Sequence, residues 1–327
     1  MARADLIKAL IRAHAQGDSE RFYAVALQMA AQEARKGHTR FAKELRDLID
    51  QVREKEKAVG QHTKPVAIVQ PRGELAALLA VHYPKTRLAD MILDEKVHRK
   101  IARVLLEQRH RRALQQHGFT PIRKLLLVGP PGTGKTMSAA ALAGELALPL
   151  FTIQLDGLIT KYLGETAAKL RLVFQSIRHT RGVYFFDEFD ALGSERATRN
   201  EVGEIRRVLN SFLQFLELDE SESLIVAATN HPQLLDRALF RRFDVVIDYP
   251  LPSRTVAERI MRSRLALLDT TRVDWNKVIQ ATEGLSHAEI TRACEQAAKN
   301  AILEHRTHLE TAELIEALDE RHRAHIS

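Results

Sequence analysis

Three glycines, a lysine and a threonine stand close together in the segment GPPGTGKT, residues 129–136. An apolar run precedes this segment, and a run rich in alanine and leucine follows it. Glycines let a backbone wrap closely around an anion so that successive N–H groups point at it, and the start of a following helix adds a positive end. The spacing G-x-x-x-x-G-K-[ST] between a strand and a helix therefore predicts a loop that binds nucleotide phosphates.

Two side chains of this loop have separate roles. Lys135 reaches the β- and γ-phosphates of a nucleoside triphosphate, and the Thr136 hydroxyl holds Mg²⁺. The competing explanation is a plain glycine turn, which the strand-loop-helix context disfavours. The predicted nucleotide contacts along this segment are Gly129, Pro130, Pro131, Gly132, Thr133, Gly134, Lys135, Thr136 and Met137.

A pair of carboxylates, Asp187 and Glu188, directly follows the apolar run VYFF. In open α/β sheets, ligands bind outside the carboxyl ends of the strands, where such acids would stand beside the phosphate loop. Asp187 would hold Mg²⁺ through water, and Glu188 would polarise the water that attacks the γ-phosphate. The alternative, two acids in an exposed turn, is disfavoured by the presence of the phosphate loop.

The elements that must position these residues are apolar segments with helix-forming stretches between them. Several of the segments are apolar throughout, as strands buried on both faces should be. The alternation predicts an α/β P-loop NTPase core, a parallel five-stranded sheet with helices on both faces. The predicted strands are Leu125–Val128, Leu150–Ile153, Val183–Phe186, Leu224–Ala228 and Val245–Tyr249.

Segments without strand patterns flank this core along the chain. Residues 4–57 contain three amphipathic stretches, which predict an N-terminal three-helix bundle. Pro65, Pro71 and two glycines interrupt residues 58–73 and predict a linker. After Pro250 the chain is helical in pattern, which predicts a C-terminal helical lid of about four helices. The predicted domains are a bundle at 1–60, a linker at 61–84, a large α/β domain at 85–250 and a lid at 251–327.

Residues from about 85 to 320 resemble an AAA+ ATPase of the branch that includes the membrane AAA proteases, katanin and spastin. The resemblance implies that ATP and Mg²⁺ are the cofactors and that ATP is hydrolysed to ADP and phosphate. The segment SLIVAATN resembles the sensor-1 strand, which implies that Asn230 orients the attacking water. The segment LDRALFRRFD resembles the second region of homology, whose arginines reach the neighbouring subunit's nucleotide.

Arg241 and Arg242 match that arginine pair. They are adjacent here, whereas many members separate them by two residues, so the resemblance leaves open which one acts as the finger. The segment GLSHAEI resembles the lid motif G-x-S-G-A-[DE], with His287 in place of the glycine. The resemblance implies that His287 and Ala288 lie near the nucleotide. Ala288 stands where other AAA+ branches carry a sensor-2 arginine.

An arginine that acts on a neighbour's nucleotide implies a ring, and the resemblance implies a hexamer. The sequence Tyr162-Leu163-Gly164 resembles the aromatic-hydrophobic-glycine pore loop of protein translocases, and Lys161 beside it would add charge selectivity. An aromatic side chain on such a loop wedges against an extended polypeptide without reading its sequence. The competing explanation is a tyrosine packed on its own domain. A second pore loop is expected at residues 193–201, with Glu195 and Arg196 as weaker candidates.

Composition and charge limit the binding partners and the cellular location that can be expected. The net charge is +7 and the pI about 9.5, which suits nucleic acid, an acidic protein surface or simple solubility. The basic segment at 95–112 has apolar residues at helical spacing, which predicts an amphipathic helix with a solvated basic face. Cys294 is the single cysteine, so no internal disulfide forms and a reducing cytoplasm is expected. We also expect no membrane span and no secretory signal.

Three functional hypotheses follow. The first is a ring-forming ATPase that unfolds or remodels protein; since no H-E-x-x-H zinc-protease motif follows the lid, it would work alone or serve a separate protease. In that hypothesis the N-terminal bundle docks a substrate or partner. The second is an ATP-dependent nucleic-acid factor, such as a helicase loader, which the basic pI and RHRR at 109–112 favour. The third is a regulatory scaffold that assembles with ATP and threads nothing.

Overall fold

The chain forms two compact units, Met1–Pro65 and Val66–Ser327. The computed structural model describes residues 25–26, 29–30, 43, 71, 73–158, 163–192, 199–235 and 237–326. In the first unit, the described residues are all helical, and Ala26 and Ala30 are buried. This spacing of four agrees with the amphipathic pattern of the second predicted helix. The remainder of the predicted three-helix bundle lies outside the described residues.

The second unit is built on a six-stranded sheet in the order β1-β3-β4-β5-β2-β6. The strands are β1 Leu79–His82, β2 Lys124–Val128, β3 Leu150–Ile153, β4 Val183–Phe186, β5 Leu224–Thr229 and β6 Val245–Asp248. Strands β2 to β6 pair in parallel, and β1 pairs antiparallel with β3. The five predicted strands are confirmed, each to within one residue at its ends.

The predicted strand count of five is corrected to six by β1 at one edge of the sheet. This strand lies within residues 61–84, the segment predicted as a linker. Its register runs from Leu79 opposite Ile153 to His82 opposite Leu150, and only Leu79 is buried. Residues 75–81 form an apolar run, LAALLAV, but helix α1 takes its first part and β1 only its end, so the run alone does not mark an edge strand.

Helices cover both faces of the sheet. Within the described part of the second unit they are α1 Glu74–Leu78, α2 Glu95–Arg109, α3 Arg111–Gln116, α4 Lys135–Leu146, α5 Leu155–Leu158, α6 Leu163–His179, α7 Arg199–Glu217, α8 Arg237–Phe240, α9 Arg254–Arg264, α10 Trp275–Gln280, α11 His287–Leu303 and α12 Thr311–Ile326. Leu125 and Leu127 of β2 face one apolar core with α2 and α4, while Leu126 and Val128 face the other with α6 and α7. This alternation fixes the strand between two helix layers.

Helix α2 confirms the amphipathic helix predicted within residues 95–112. Its apolar side chains Val97, Ile101, Val104 and Leu105 are all buried against the sheet. The Asp94 side chain caps its start by accepting a hydrogen bond from the backbone N–H of Lys96 at 2.8 Å. Among the described residues, no helix combines the length and apolarity needed to cross a membrane.

Four helices after Pro250, α9 to α12, pack around an apolar core of their own. This agrees with the predicted number of helices in the lid. Helix α11 begins with a reciprocal cap: Ser286 Oγ accepts from the backbone N–H of Glu289, and the Glu289 carboxylate accepts from the backbone N–H of Ser286. Such a cap fixes where a helix begins. It therefore fixes the position of the residues that follow Ser286.

Candidate nucleotide-binding site

Three neighbouring strands bring the predicted site residues to one edge of the sheet. Strands β4, β5 and β2 are adjacent and parallel, and every one of their residues is buried. The chain leaves these strands at Asp187, Asn230 and Gly129, respectively. Because the carboxyl ends of parallel strands share an edge, the acid pair, the sensor residue and the phosphate loop lie together there.

The phosphate loop has glycine where the backbone passes closest to its neighbours. At Gly129 φ is +148°, and a Cβ would lie 2.2 Å from the carbonyl oxygen of Tyr249. At Gly132 φ is +74°, and a Cβ would lie 2.5 Å from Ser286 Oγ. Both distances are far below van der Waals contact, so any side chain would displace the loop from β6 or from the lid. Helix α4 begins directly after Gly134, which places its positive end at the loop.

Lys135 is the buried cation of the loop, with 6% of its surface exposed. Its Nζ donates to the carbonyl oxygens of Gly129 and Pro130 at 2.7 and 2.8 Å. Burial lowers the pKa of Lys135, and the carboxylates of Asp187 and Asp190 oppose that shift. Among the described residues it forms no ion pair. A buried ammonium held by neutral oxygens gains from the approach of an anion.

The acid pair lies against the phosphate loop through Asp187. Its Oδ2 accepts a hydrogen bond from Thr136 Oγ1 at 2.9 Å, and its Oδ1 accepts from the backbone N–H of Glu188 at 3.0 Å. Glu188 is exposed and has φ of +48°, in the left-handed region. Phe189, which follows it, is fully buried and holds the turn. The arrangement leaves the Glu188 carboxylate exposed while Asp187 is tied to the loop.

Asn230 is joined to the acid segment by a residue that the sequence analysis missed. Its backbone N–H donates to Asp190 Oδ1 at 3.3 Å. Asp190 lies in the 3-10 turn Phe189–Leu192 directly after the acid pair, and its charge acts on Lys135. Asp190 therefore links the end of β5 to the turn after β4. The sequence does carry a signal for Asp190, because it is a third acidic residue only three positions after Asp187.

The two arginines differ in their surroundings, although both are exposed and both follow α8. Arg242 forms an ion pair with Glu217 at the end of α7. Arg241 has no ion-pair partner in the described part of the chain. The structure thus separates two residues that the sequence could not rank.

The lid reaches the phosphate loop through residues 286–288. The backbone N–H of Ala288 donates to the carbonyl oxygen of Gly132 at 3.0 Å. Both ring nitrogens of His287 are buried and have no hydrogen-bond partner among the described residues. Burial lowers the pKa of His287 to about 4, which keeps the imidazole neutral. The predicted lid residues do stand beside the loop, joined to it by backbone.

Two further contacts shape the site without a sequence signal. Met91 and Leu93 lie 3.6 and 3.5 Å from where a Cβ of Gly134 would stand, and Ile92 packs against the lid core. On the opposite side, the Tyr249 hydroxyl donates to Ser138 Oγ at 2.7 Å, and Ser138 donates in turn to the carbonyl of Gly134 at 3.0 Å. Three apolar residues in a row, as at Met91–Leu93, and a tyrosine after a strand, as at Tyr249, are common in sequences, so neither feature indicated a site.

The pore-loop predictions fall largely outside the described residues. Lys161 and Tyr162 lie outside them. Leu163 and Gly164 are the first two residues of α6. Glu195 and Arg196 of the second predicted pore loop also lie outside.

The residues at the phosphate loop are suited to a nucleotide with Mg²⁺. At Gly129 and Gly132 the loop backbone passes so close to other atoms that a Cβ would not fit, and the loop holds the buried ammonium of Lys135. Thr136 and Asp187 offer adjacent oxygen atoms, the ligands that Mg²⁺ prefers. Among the described residues, no group of three or more His, Cys, Asp or Glu side chains could hold a metal ion. Those two residues would therefore share the ion with phosphate oxygens and water.

The family model for the ATPase family associated with various cellular activities (AAA) matches residues 125–251. An AAA family ATPase of Sinorhizobium fredii, y4kL, is 36% identical over 324 residues, which is 99% of this chain and 96% of that protein. The AAA domain of FIGL-1 has the same fold, with a TM-score of 0.60 and 23% identity over 81% of this chain and 96% of that one.

Two relatives with more informative names match a smaller share. The ATP-dependent zinc metalloprotease FtsH 1 of Methylacidiphilum infernorum is 38% identical over 60% of this chain and 32% of its own length. The proteasome-activating nucleotidase of Methanothermobacter thermautotrophicus is 35% identical over 69% of this chain and 57% of its own. The chain thus spans about a third of the one and under two thirds of the other. With the phosphate loop, the acid pair and the near full-length relative, the chain belongs to the AAA family of ATPases and hydrolyses ATP.

Proposed function

We propose that this AAA ATPase assembles into a hexameric ring and uses ATP hydrolysis to unfold or remodel protein. The observation that carries the proposal is the alignment with FtsH and with the proteasome-activating nucleotidase, two relatives named for ATP-dependent proteolysis and proteasome activation. The ATPase would remodel its client protein alone, or would unfold the client and deliver it to a separate protease.

Within one subunit, the roles follow from the positions at the sheet edge. Lys135 and the backbone of the phosphate loop bind the phosphates, and Thr136 with Asp187 holds Mg²⁺. The bound nucleotide supplies the γ-phosphoryl group. Glu188 takes up the proton of the attacking water, which its exposed position beside Asp187 permits. Asn230 orients that water from the end of β5.

Arg241 is the arginine that we assign to the neighbouring subunit's nucleotide. It is exposed and lacks an ion pair in the described part of the chain, whereas Arg242 is held by Glu217. A finger must be free to reach across an interface. Arg241→Ala should lower turnover by about 10³-fold, as loss of such fingers does elsewhere. Arg242→Ala should lower it far less. The reverse ranking, measured as phosphate release at saturating ATP, would reassign the finger to Arg242.

Residues 161–164 form the proposed substrate grip, with Tyr162 as the contact. Tyr162→Ala should abolish unfolding of a tagged model protein, while Tyr162→Phe keeps the ring and most of the unfolding. Fluorescence loss of the tag measures this directly. If Tyr162 instead packs within its own domain, Tyr162→Ala will lower the melting temperature as truncation of a buried aromatic does. Normal unfolding by stable Tyr162→Ala rings would remove Tyr162 as the substrate grip, whereas a wild-type ring that binds its client without unfolding it would favour the scaffold hypothesis.

The N-terminal bundle, residues 1–60, is the proposed docking module, and residues 251–327 are the proposed lid. Because α1 and β1 belong to the α/β sheet unit, we place the start of the α/β domain before residue 85, within the segment predicted as the linker. A Glu188→Gln protein should hold its client without releasing it, so captured chains can be identified by mass spectrometry. The same trap lacking residues 1–60 should capture far less. Equal capture by both traps would refute the docking role. A reducing cytoplasm is the proposed location.

The nucleic-acid alternative is weakened by how the basic segment is arranged. Three arginines of α2 pair with glutamates: Arg99 with Glu95, Arg103 with Glu107 and Arg109 with Glu145. Arg111 pairs likewise with Glu222. These pairs neutralise part of the segment's positive charge and so weaken its attraction for phosphates, although Lys96, Lys100 and Arg112 form no ion pair among the described residues. Tight DNA binding that weakens steeply with salt would revive this alternative.

A further inference from the structure

The His287 imidazole is the polar group at the site that the roles above leave unused. A neutral imidazole carries one N–H donor and one nitrogen acceptor. Both ring nitrogens of His287 are buried, and neither has a partner among the described residues. Buried polar atoms in native proteins are paired in the great majority of cases, so a doubly unpaired ring calls for a partner.

The position of His287 indicates which partner that is. Its neighbours on both sides touch the phosphate loop: Ser286 Oγ crowds Gly132, and the backbone N–H of Ala288 bonds the Gly132 carbonyl. The segment Met91–Leu93 borders the same loop at Gly134, and its Ile92 packs against the lid core. The phosphate loop is thus bordered by the apolar segment Met91–Leu93 at Gly134 and by the residues on either side of His287 at Gly132. Apolar side chains with a few polar groups are what a nucleoside site requires.

We propose that His287 hydrogen-bonds the nucleoside part of the bound nucleotide, at its ribose or its base. This inference rests on the nucleotide site proposed above. The phosphates have their own partners in Lys135 and the loop backbone. A ring kept neutral by burial offers a donor and an acceptor, which match the hydroxyls and ring nitrogens of a nucleoside. In the lid motif that this segment resembles, glycine occupies the position and offers no side chain.

The binding of ADP and related ligands that cannot be hydrolysed by the proposed reaction tests the role of His287 without catalysis. Isothermal titration calorimetry would measure the affinity of the full-length chain for ADP, 2′-deoxy-ADP, GDP and pyrophosphate, each with Mg²⁺. The variants are His287→Gly, which restores the residue of the motif, and His287→Phe, which keeps a ring without nitrogens. His305→Gly, at an exposed histidine of the same lid, is the matched control.

Both His287 variants should lose about tenfold in ADP affinity, the effect of one good hydrogen bond, and should bind pyrophosphate as the wild type does. The loss should disappear with 2′-deoxy-ADP if the ribose is the partner, and with GDP if the base edge is. Unchanged ADP affinity in both variants, or an equal loss for pyrophosphate, would overturn the inference while leaving the nucleotide site intact. Failure of the wild type to bind ADP and pyrophosphate would instead refute the nucleotide site itself.

Discussion

The phosphate loop and the start of the lid meet at Gly132, yet they contribute to the site in different ways. The loop side acts through charged and hydroxyl groups that are already paired with one another: Lys135 with loop carbonyls, and Thr136 with Asp187. The lid side acts through a backbone bond from Ala288 and through the His287 imidazole, which has no hydrogen-bond partner in the described part of the chain. We infer that the loop side would hold the phosphates and the lid side the nucleoside part of the nucleotide. Substitutions on the two sides should therefore affect different quantities.

The largest effect is expected at Glu188. Glu188→Gln removes the group proposed to take up the water's proton and leaves the proposed phosphate contacts in place. Turnover should fall by about 10²–10⁴-fold, the usual contribution of a general base, with ADP affinity unchanged. Single-turnover phosphate release and calorimetry measure the two quantities. Glu283→Gln, at an exposed lid glutamate, is the control and should behave as wild type. Full turnover by Glu188→Gln would remove this residue from the chemistry.

Loss of the loop's cation should affect binding instead. Lys135→Ala removes the buried ammonium, and charge-assisted hydrogen bonds are worth up to about 3 kcal/mol, so nucleotide affinity should fall by about 100-fold. Lys277→Ala, at an exposed lysine of the lid, should leave the affinity unchanged. An unaltered affinity in Lys135→Ala would mean that the loop holds the phosphates by backbone alone.

The junction between the two sides can be tested at glycines of matched conformation. Gly132 and Gly284 both have positive φ, +74° and +86°, but only at Gly132 would a Cβ meet other atoms. Gly284→Ala should cost about 1–2 kcal/mol of stability from backbone strain alone. Gly132→Ala should cost more and should also weaken ADP binding, because it forces Ser286 from the loop. Denaturation and calorimetry on both variants give the comparison; equal behaviour would argue against a functional contact between lid and loop.

At neutral pH the smallest effect is that of His287, whose contribution is a dependence of stability on acidic pH. Its folded-state pKa of about 4 lies below the ordinary value of 6.5, so the unfolded chain takes up the proton first. Stability should therefore be unaffected above pH 6.5 and decline as the pH falls from 6.5 towards 4, by about 2 kcal/mol at pH 5. Urea denaturation of wild type and His287→Phe should show this difference in slope. Parallel curves for the two proteins would mean that the ring is not buried in solution.

The features of the fold and site that could be predicted from the sequence are those marked by residues close together along the chain. Strand β4 is an unbroken apolar run and the phosphate loop a fixed spacing, so both were predictable with their residues. Strand β1 shares the apolar run at residues 75–81 with helix α1, and its pairing with β3 decides where the strand begins, which the run alone does not show. Tyr249 bonds Ser138, more than a hundred residues away along the chain, which no spacing rule reaches. The ranking of the two arginines depended in the same way on the distant Glu217.

The claim that the site is completed by a neighbouring subunit is tested most directly by mixing two inactive proteins. Arg241→Ala keeps Glu188 but lacks the finger, and Glu188→Gln keeps the finger but lacks the base. Rings formed from both contain interfaces in which an intact Glu188 meets an intact Arg241. We expect ATP hydrolysis to reappear on mixing and to increase with total protein concentration as rings assemble. A mixture as inactive as its two components, under conditions in which the wild type hydrolyses ATP, would contradict the shared site.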